Sequence, residues 1–100
     1  MNAKSGNICS IEDWCVVIDN YSPYMAPEAT IGVIRGKVFG HPKFEDGSYI
    51  ITGRIKKAQG RRLATDNNEY ILGSIDPHYE AWCEEYNIEL DHKNPIKLKQ

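Results

Sequence analysis

The chain has little of what marks an enzyme, a secreted scaffold or a membrane protein. It holds no G-x-S-x-G, P-loop or dinucleotide fingerprint, so the familiar frames for activated nucleophiles and nucleotide phosphates are missing. Cysteines number three, Cys9, Cys15 and Cys83, an odd count without a CxxC pair. That excludes a disulfide framework and points to reduced thiols in the cytoplasm. No apolar run approaches the length of a membrane span. The first ten residues carry one lysine and no apolar stretch, which does not read as a signal peptide. Metal ligands do not converge either. Cys9 and Cys15 are six apart, while His78 and Cys83 are five apart on an expected helix and so face different ways. No metal or cofactor is expected, and no catalytic residue. Cys15 and Cys83 fall on apolar faces, where a thiol behaves as a small hydrophobe.

What is present is an ordinary globular composition. One hundred residues, 41% hydrophobic and 26% charged, make one domain large enough to bury a core. Net charge is −2, unevenly spread. Residues 1–29 set Lys4 against Glu12, Asp13, Asp19 and Glu28. Residues 30–62 hold eight cations against Glu45 and Asp46, and residues 63–100 hold three lysines against eight acids. A basic middle is flanked by acidic ends.

Residues 1–9 read as a flexible start, 10–90 as a single α+β domain and 91–100 as a polar tail broken by Pro95. Ser10 followed by Glu12 and Asp13 has the form of a helix start. Ile11, Trp14, Cys15 and Ile18 then fall at i, i+3, i+4 and i+7, which favours a short helix. The β-branched run Val16-Val17-Ile18 supports a strand instead. Tyr21–Ala29 reads as a Pro-bounded loop.

Four strands are expected next, over Thr30–Gly40, Ser48–Ala58, Arg61–Thr65 and Glu69–Gly73. Gly36 marks a bulge or bend in the first. Short turns at Asp46-Gly47, Gln59-Gly60 and Asp66-Asn67-Asn68 predict an antiparallel meander. Asp76-Pro77 opens a helix, with Tyr79, Trp82, Cys83 and Tyr86 on one face and Asn87 as its stop. The expected fold is a small twisted antiparallel sheet of about four strands covered by one or two short helices. An SH3-like or OB-like barrel is the alternative. Trp14, Phe39, Phe44, Tyr79 and Trp82 are the expected aromatic core, with Trp82 buried against the sheet.

The segment Gly36-Lys37-Val38-Phe39-Gly40-His41-Pro42-Lys43-Phe44-Glu45-Asp46-Gly47, followed by Ile50 and Thr52, resembles a pattern G-x-V-x-G-H-P-x-F-x-D-G. With Tyr70-Ile71-Leu72-Gly73 and a short helix around Trp82, it resembles a family of short uncharacterised bacterial and phage-borne proteins. Gly53 departs from the small polar residue expected after Thr52. The resemblance implies an accessory role in a prokaryote or phage, and no activity.

Two surfaces are candidates. Tyr21, Tyr24 and Met25, which no expected helix or strand places inside, form a cluster suited to anchoring a protein. His41 and Lys43 sit on a shaped loop held by Pro42 and Asp46-Gly47, and complete the expected partner-binding set. The second surface is the hairpin carrying Arg54, Lys56, Lys57, Arg61 and Arg62, five cations without an acid among them. It suits a phosphate backbone, with Tyr49 and Tyr70 available to stack on bases. A pI near 5.9 argues against nucleic acid. The expectation is therefore a protein-interaction module, with a nucleic-acid-binding regulator as the alternative.

Overall fold

The computed structural model describes residues 8–17, 24–27, 33–66 and 68–96. The expected flexible start before Ile8, the expected anchor Tyr21, the first three residues of the strand expected from Thr30, Asn67 and the last four residues of the tail lie outside this set. Six strands and one helix follow in order: β1 Ile8–Val17, β2 Val33–Phe39, β3 Ser48–Ile51, β4 Lys57–Gln59, β5 Arg62–Ala64, β6 Glu69–Leu72 and α1 Pro77–Glu85. They form one mixed sheet in the order β3-β2-β1-β6-β5-β4. The fold is α+β, with six strands rather than four. The expected strand over Ser48–Ala58 is split, since only Ser48–Ile51 and Lys57–Gln59 are paired as strands.

The largest departure is β1. The segment expected to be a helix is the central strand, antiparallel to β2 and parallel to β6. The sheet is therefore mixed rather than wholly antiparallel, although the strands expected to form the meander do pair antiparallel with one another. A bulge explains the misleading spacing. Register along β1 jumps between Glu12 and Cys15, and Asp13 sits at φ 51°. Cys9 and Ile11 alternate inward, the extra residue intervenes, and the apolar series resumes at Trp14 and Val16. A period of two with one insertion imitates helical spacing over so short a stretch. Gly36 lies opposite the bulge, and a Cβ there would stand 2.7 Å from the Glu12 carbonyl oxygen. The bulge is thus on the partner strand, and Gly36 leaves room for it.

Past the bulge, the Ile75–Asp76 stretch keeps step with β1. The Gly73 N–H donates to Ile11 O at 2.8 Å, Trp14 N–H to Ser74 O at 3.3 Å and Asp76 N–H to Trp14 O at 2.9 Å. Helix α1 then begins as its sequence dictates. The Asp76 carboxylate accepts the His78 N–H at 2.8 Å and Pro77 takes the first helical position. At the other end Asn87 adopts φ 58°, Asn87 N–H donates to Glu84 O, and Ile88 N–H reaches back to Cys83 O. This is a Schellman stop. The helix buries Tyr79 and Cys83, whereas Trp82, expected to be buried, is half-exposed and stacks on Tyr79 at 5.8 Å.

Residues 48–59 supply both edges of the sheet. Thr52 N–H still bonds β2 at Ile34 O, while Lys56 N–H already bonds β5 at Ala64 O. Four residues reach at most about 14 Å. In a flat six-stranded sheet the two edges would stand about 24 Å apart. The sheet therefore curls, and Ile11, Ile34, Val38, Ile55, Leu63, Tyr70 and Leu72 fill its concave side. Ile96, from the segment expected as a polar tail, joins this core, and Asn94 accepts the Gly60 N–H at 3.0 Å.

Candidate functional site

The convex side of the sheet is only half covered. Along β2, Ile34, Gly36 and Val38 point to the core, so Val33, Arg35, Lys37 and Phe39 point the other way. Cys15 and Val17 pair with Arg35 and Val33, and so share that second face, yet both are fully buried. Their cover comes from α1 and Tyr24. Tyr24 bridges Val17, and its ring meets Tyr79 edge-on at 5.1 Å. Its hydroxyl donates to Asp76 Oδ2 at 3.1 Å. Burial and the Asp76 charge push the Tyr24 phenol up to about 12. Tyr79 donates to Met25 O at 2.6 Å. Burial raises the Cys15 and Cys83 thiols above their ordinary range, so both stay neutral and inert.

Among the described residues nothing covers the other half of this face. Register places Ser10 opposite Phe39 on one side and Ile71 on the other, with Arg62 beyond Ile71. A parallel row runs from Ile8 through Glu69 and Ala64 to Lys57. A third sets Tyr49 against Lys37 and Glu12. Phe39 is 38% exposed, Ile71 40%, Ile8 45% and Tyr49 52%. Four large apolar or aromatic side chains thus stand on one surface. It is rimmed by the ion pairs Lys37–Asp13 at 3.3 Å and Arg62–Glu69 at 3.6 Å. Exposed pairs of this kind add little stability and leave the rim hydrated. Glu12 is held flat: its Oε1 accepts both the N–H and the hydroxyl of Ser74, at 2.7 and 2.8 Å.

The partner-binding residues read from the sequence do not meet. Tyr24 and Met25 are half-buried at the end of β1 near α1, packed on the core rather than presented from it. His41 lies near the start of β1, its Nε2 3.4 Å from the Tyr70 hydroxyl, with Tyr70 paired to Cys9. The two groups are about 25 Å apart along the strand. His41 serves its own loop: Nδ1 accepts the Lys43 N–H at 3.0 Å, and the ring packs on Phe44 at 4.7 Å. Gly40 N–H closes the loop on Asp46 Oδ1 at 2.8 Å. Phe44 and Phe39, both expected in the core, are exposed. Gly36 takes an inward position on β2, and Phe39 shares its parity with Arg35 and Lys37. That charged parity was the sequence signal for an outward Phe39. Ile8 and Ile71 gave no comparable signal, because the faces of β1 and β6 depend on their parallel pairing.

The basic hairpin is likewise dispersed. Arg54, Lys56 and Lys57 are exposed, with Lys57 on the edge strand β4. Arg62 faces the open half-sheet beside Glu69. Arg61 turns inward to the backbone: Nε donates to Leu72 O at 3.1 Å, one terminal nitrogen to His92 O at 2.7 Å and the other to Gly73 O. Tyr70, the expected stacking partner, is buried in the core. Among the described residues no group of three His, Cys, Asp or Glu side chains is placed to hold a metal ion, and no helix is long and apolar enough to cross a membrane. No family model, no curated protein and no solved structure matches the chain.

Proposed function

We propose that this chain is a non-enzymatic protein-interaction module that docks a partner on the open half of its convex sheet face. One observation carries the reading: Phe39 and Ile71 flank the small Ser10 in a single register row, beside Ile8 and Tyr49, where α1 stops covering the sheet. Contiguous apolar surface rimmed by hydrated charge is the usual form of a protein contact, with buried aromatic anchors at its centre. The curled sheet is read as a small closed barrel in which residues 48–59 act as one strand shared between its two edges. A barrel gives the face a rigid floor. The resemblance to bacterial and phage-borne accessory proteins supplies a context, modulation of a host or defence system, in the cytoplasm.

Nucleic acid is the second reading, favoured by the three exposed cations Arg54, Lys56 and Lys57 on one edge. Capture from native lysate separates the two. The double variant Phe39→Asp, Ile71→Asp should keep its fold and lose the captured protein, and nuclease should change nothing. Capture lost to nuclease, or lost on Lys56→Glu with Lys57→Glu but kept by the double variant, would move the function to the basic edge.

A further inference from the structure

A second site lies where the β4–β5 turn, the exit of β6 and the C-terminal segment meet. Trp14, Ile75, Leu90 and Pro95 wall a pocket of about 270 Å³, with Arg61 and His92 at its polar side. Arg61 is set rigidly there. Its three nitrogens each donate to a different carbonyl, those of Leu72, His92 and Gly73. A guanidinium has five N–H donors, so two remain. No carboxylate of the described residues stands within ion-pair distance of it. Among the described residues this half-buried guanidinium is held only by neutral carbonyl acceptors, so a carboxylate placed against it would gain a charge-assisted hydrogen bond.

We infer that this pocket binds a small monocarboxylate with an apolar body, the carboxylate on the free N–H groups of Arg61 and the body against Trp14 and Leu90. The planar fork of arginine matches a carboxylate, and its side chain is already ordered, so little freedom is lost on binding. The volume falls just below the range of drug-sized sites, which suits a ligand the size of one amino-acid residue. The walls are apolar and, among the described residues, Arg61 is the one permanent cation lining them, which disfavours a phosphate dianion. Such a carboxylate has two sources, a free branched-chain or aromatic acid, or the C-terminal residue of a peptide. This inference stands apart from docking on the open sheet face and does not need it.

The chain's two tryptophans make the test direct. Trp14 Nε1–H donates to Gly73 O, the carbonyl that also accepts from Arg61, whereas Trp82 lies on α1 and does not line the pocket. In a ¹⁵N–¹H spectrum, 4-methylpentanoate and N-acetyl-leucine should shift the Trp14 indole signal saturably and leave that of Trp82 in place. Preference for the second probe identifies a peptide terminus, and equal or opposite preference a free acid. The neutral 4-methylpentanamide should bind at least tenfold more weakly. Arg61→Gln should abolish the shift. Should that variant fail to fold, Leu90→Phe narrows the pocket with the guanidinium intact and should also abolish it. No Trp14 shift with either acid, or an amide that binds as well as the acid, overturns the proposal.

Discussion

Two tryptophans and a histidine show how burial assigns work to single residues. Trp14 is fully buried at the bulge, its ring 6.1 Å from Tyr79 and its N–H bonded to Gly73 O at 3.1 Å. Replacing it with alanine should cost about 3–5 kcal/mol in a urea titration. Trp82 lies on the wetter flank of α1, so Trp82→Ala should cost only about 1–2 kcal/mol. Equal costs would mean that the helix, and not the bulge, anchors the core. His41 gives a pH dependence. Because Nδ1 accepts the Lys43 N–H, the ring proton sits on Nε2, and a second proton would break the loop contact. Burial, and then the charge of Lys43, hold its pKa below the ordinary 6.5. An unfolded chain therefore takes up the proton first as pH falls. The contribution of His41 to stability is complete above about 6.5 and is lost as pH drops through the folded value. Thermal midpoints measured from pH 8 to pH 5 should fall less steeply for His41→Gln than for the native chain. Parallel curves would remove His41 from the account.

Among the elements, α1 was legible to the residue and β1 was not. Asp76-Pro77 and Asn87 act locally, through cap and stop chemistry that neighbouring residues determine, so the sequence displays them. The hairpin turns at Gly47 and Gly60 were legible for the same reason, both glycines adopting positive φ. The pairing of β1 with β6 is non-local, more than sixty residues apart, and its bulge is answered by Gly36 on another strand. No local pattern carries that information. The candidate face follows the same division: Phe39 was expected in the core although its parity with Arg35 and Lys37 carried the outward signal, while Ser10 and Ile71 became readable only with the register. Asp76 joins the two levels, since one oxygen caps α1 and the other accepts from Tyr24. Asp76→Ala should therefore cost about 2 kcal/mol or more, above the ordinary loss of a cap. Tyr24→Phe, which keeps the ring packing, should cost about 1 kcal/mol. Equal losses in chemical denaturation would show that the cap contributes nothing beyond the Tyr24 bond.

At the scale of the whole molecule, one helix covers half of one face of a curled sheet, and the remaining half has no cover among the described residues. The concave side is filled by its own core, the edges come from a single stretch of chain, and Lys57 guards one of them against strand addition. Under the proposed docking, the surface that meets a protein partner is the register row of Phe39, Ser10 and Ile71. The most direct measurement places a photo-crosslinking phenylalanine analogue singly at Phe39, Ile71, Tyr86 and Lys57 and reads the crosslinked products in native lysate. Docking on the open half-face predicts one and the same protein adduct from Phe39 and Ile71, and none of it from Tyr86 or Lys57. Adducts from Lys57 or Tyr86, with Phe39 and Ile71 silent, would contradict it.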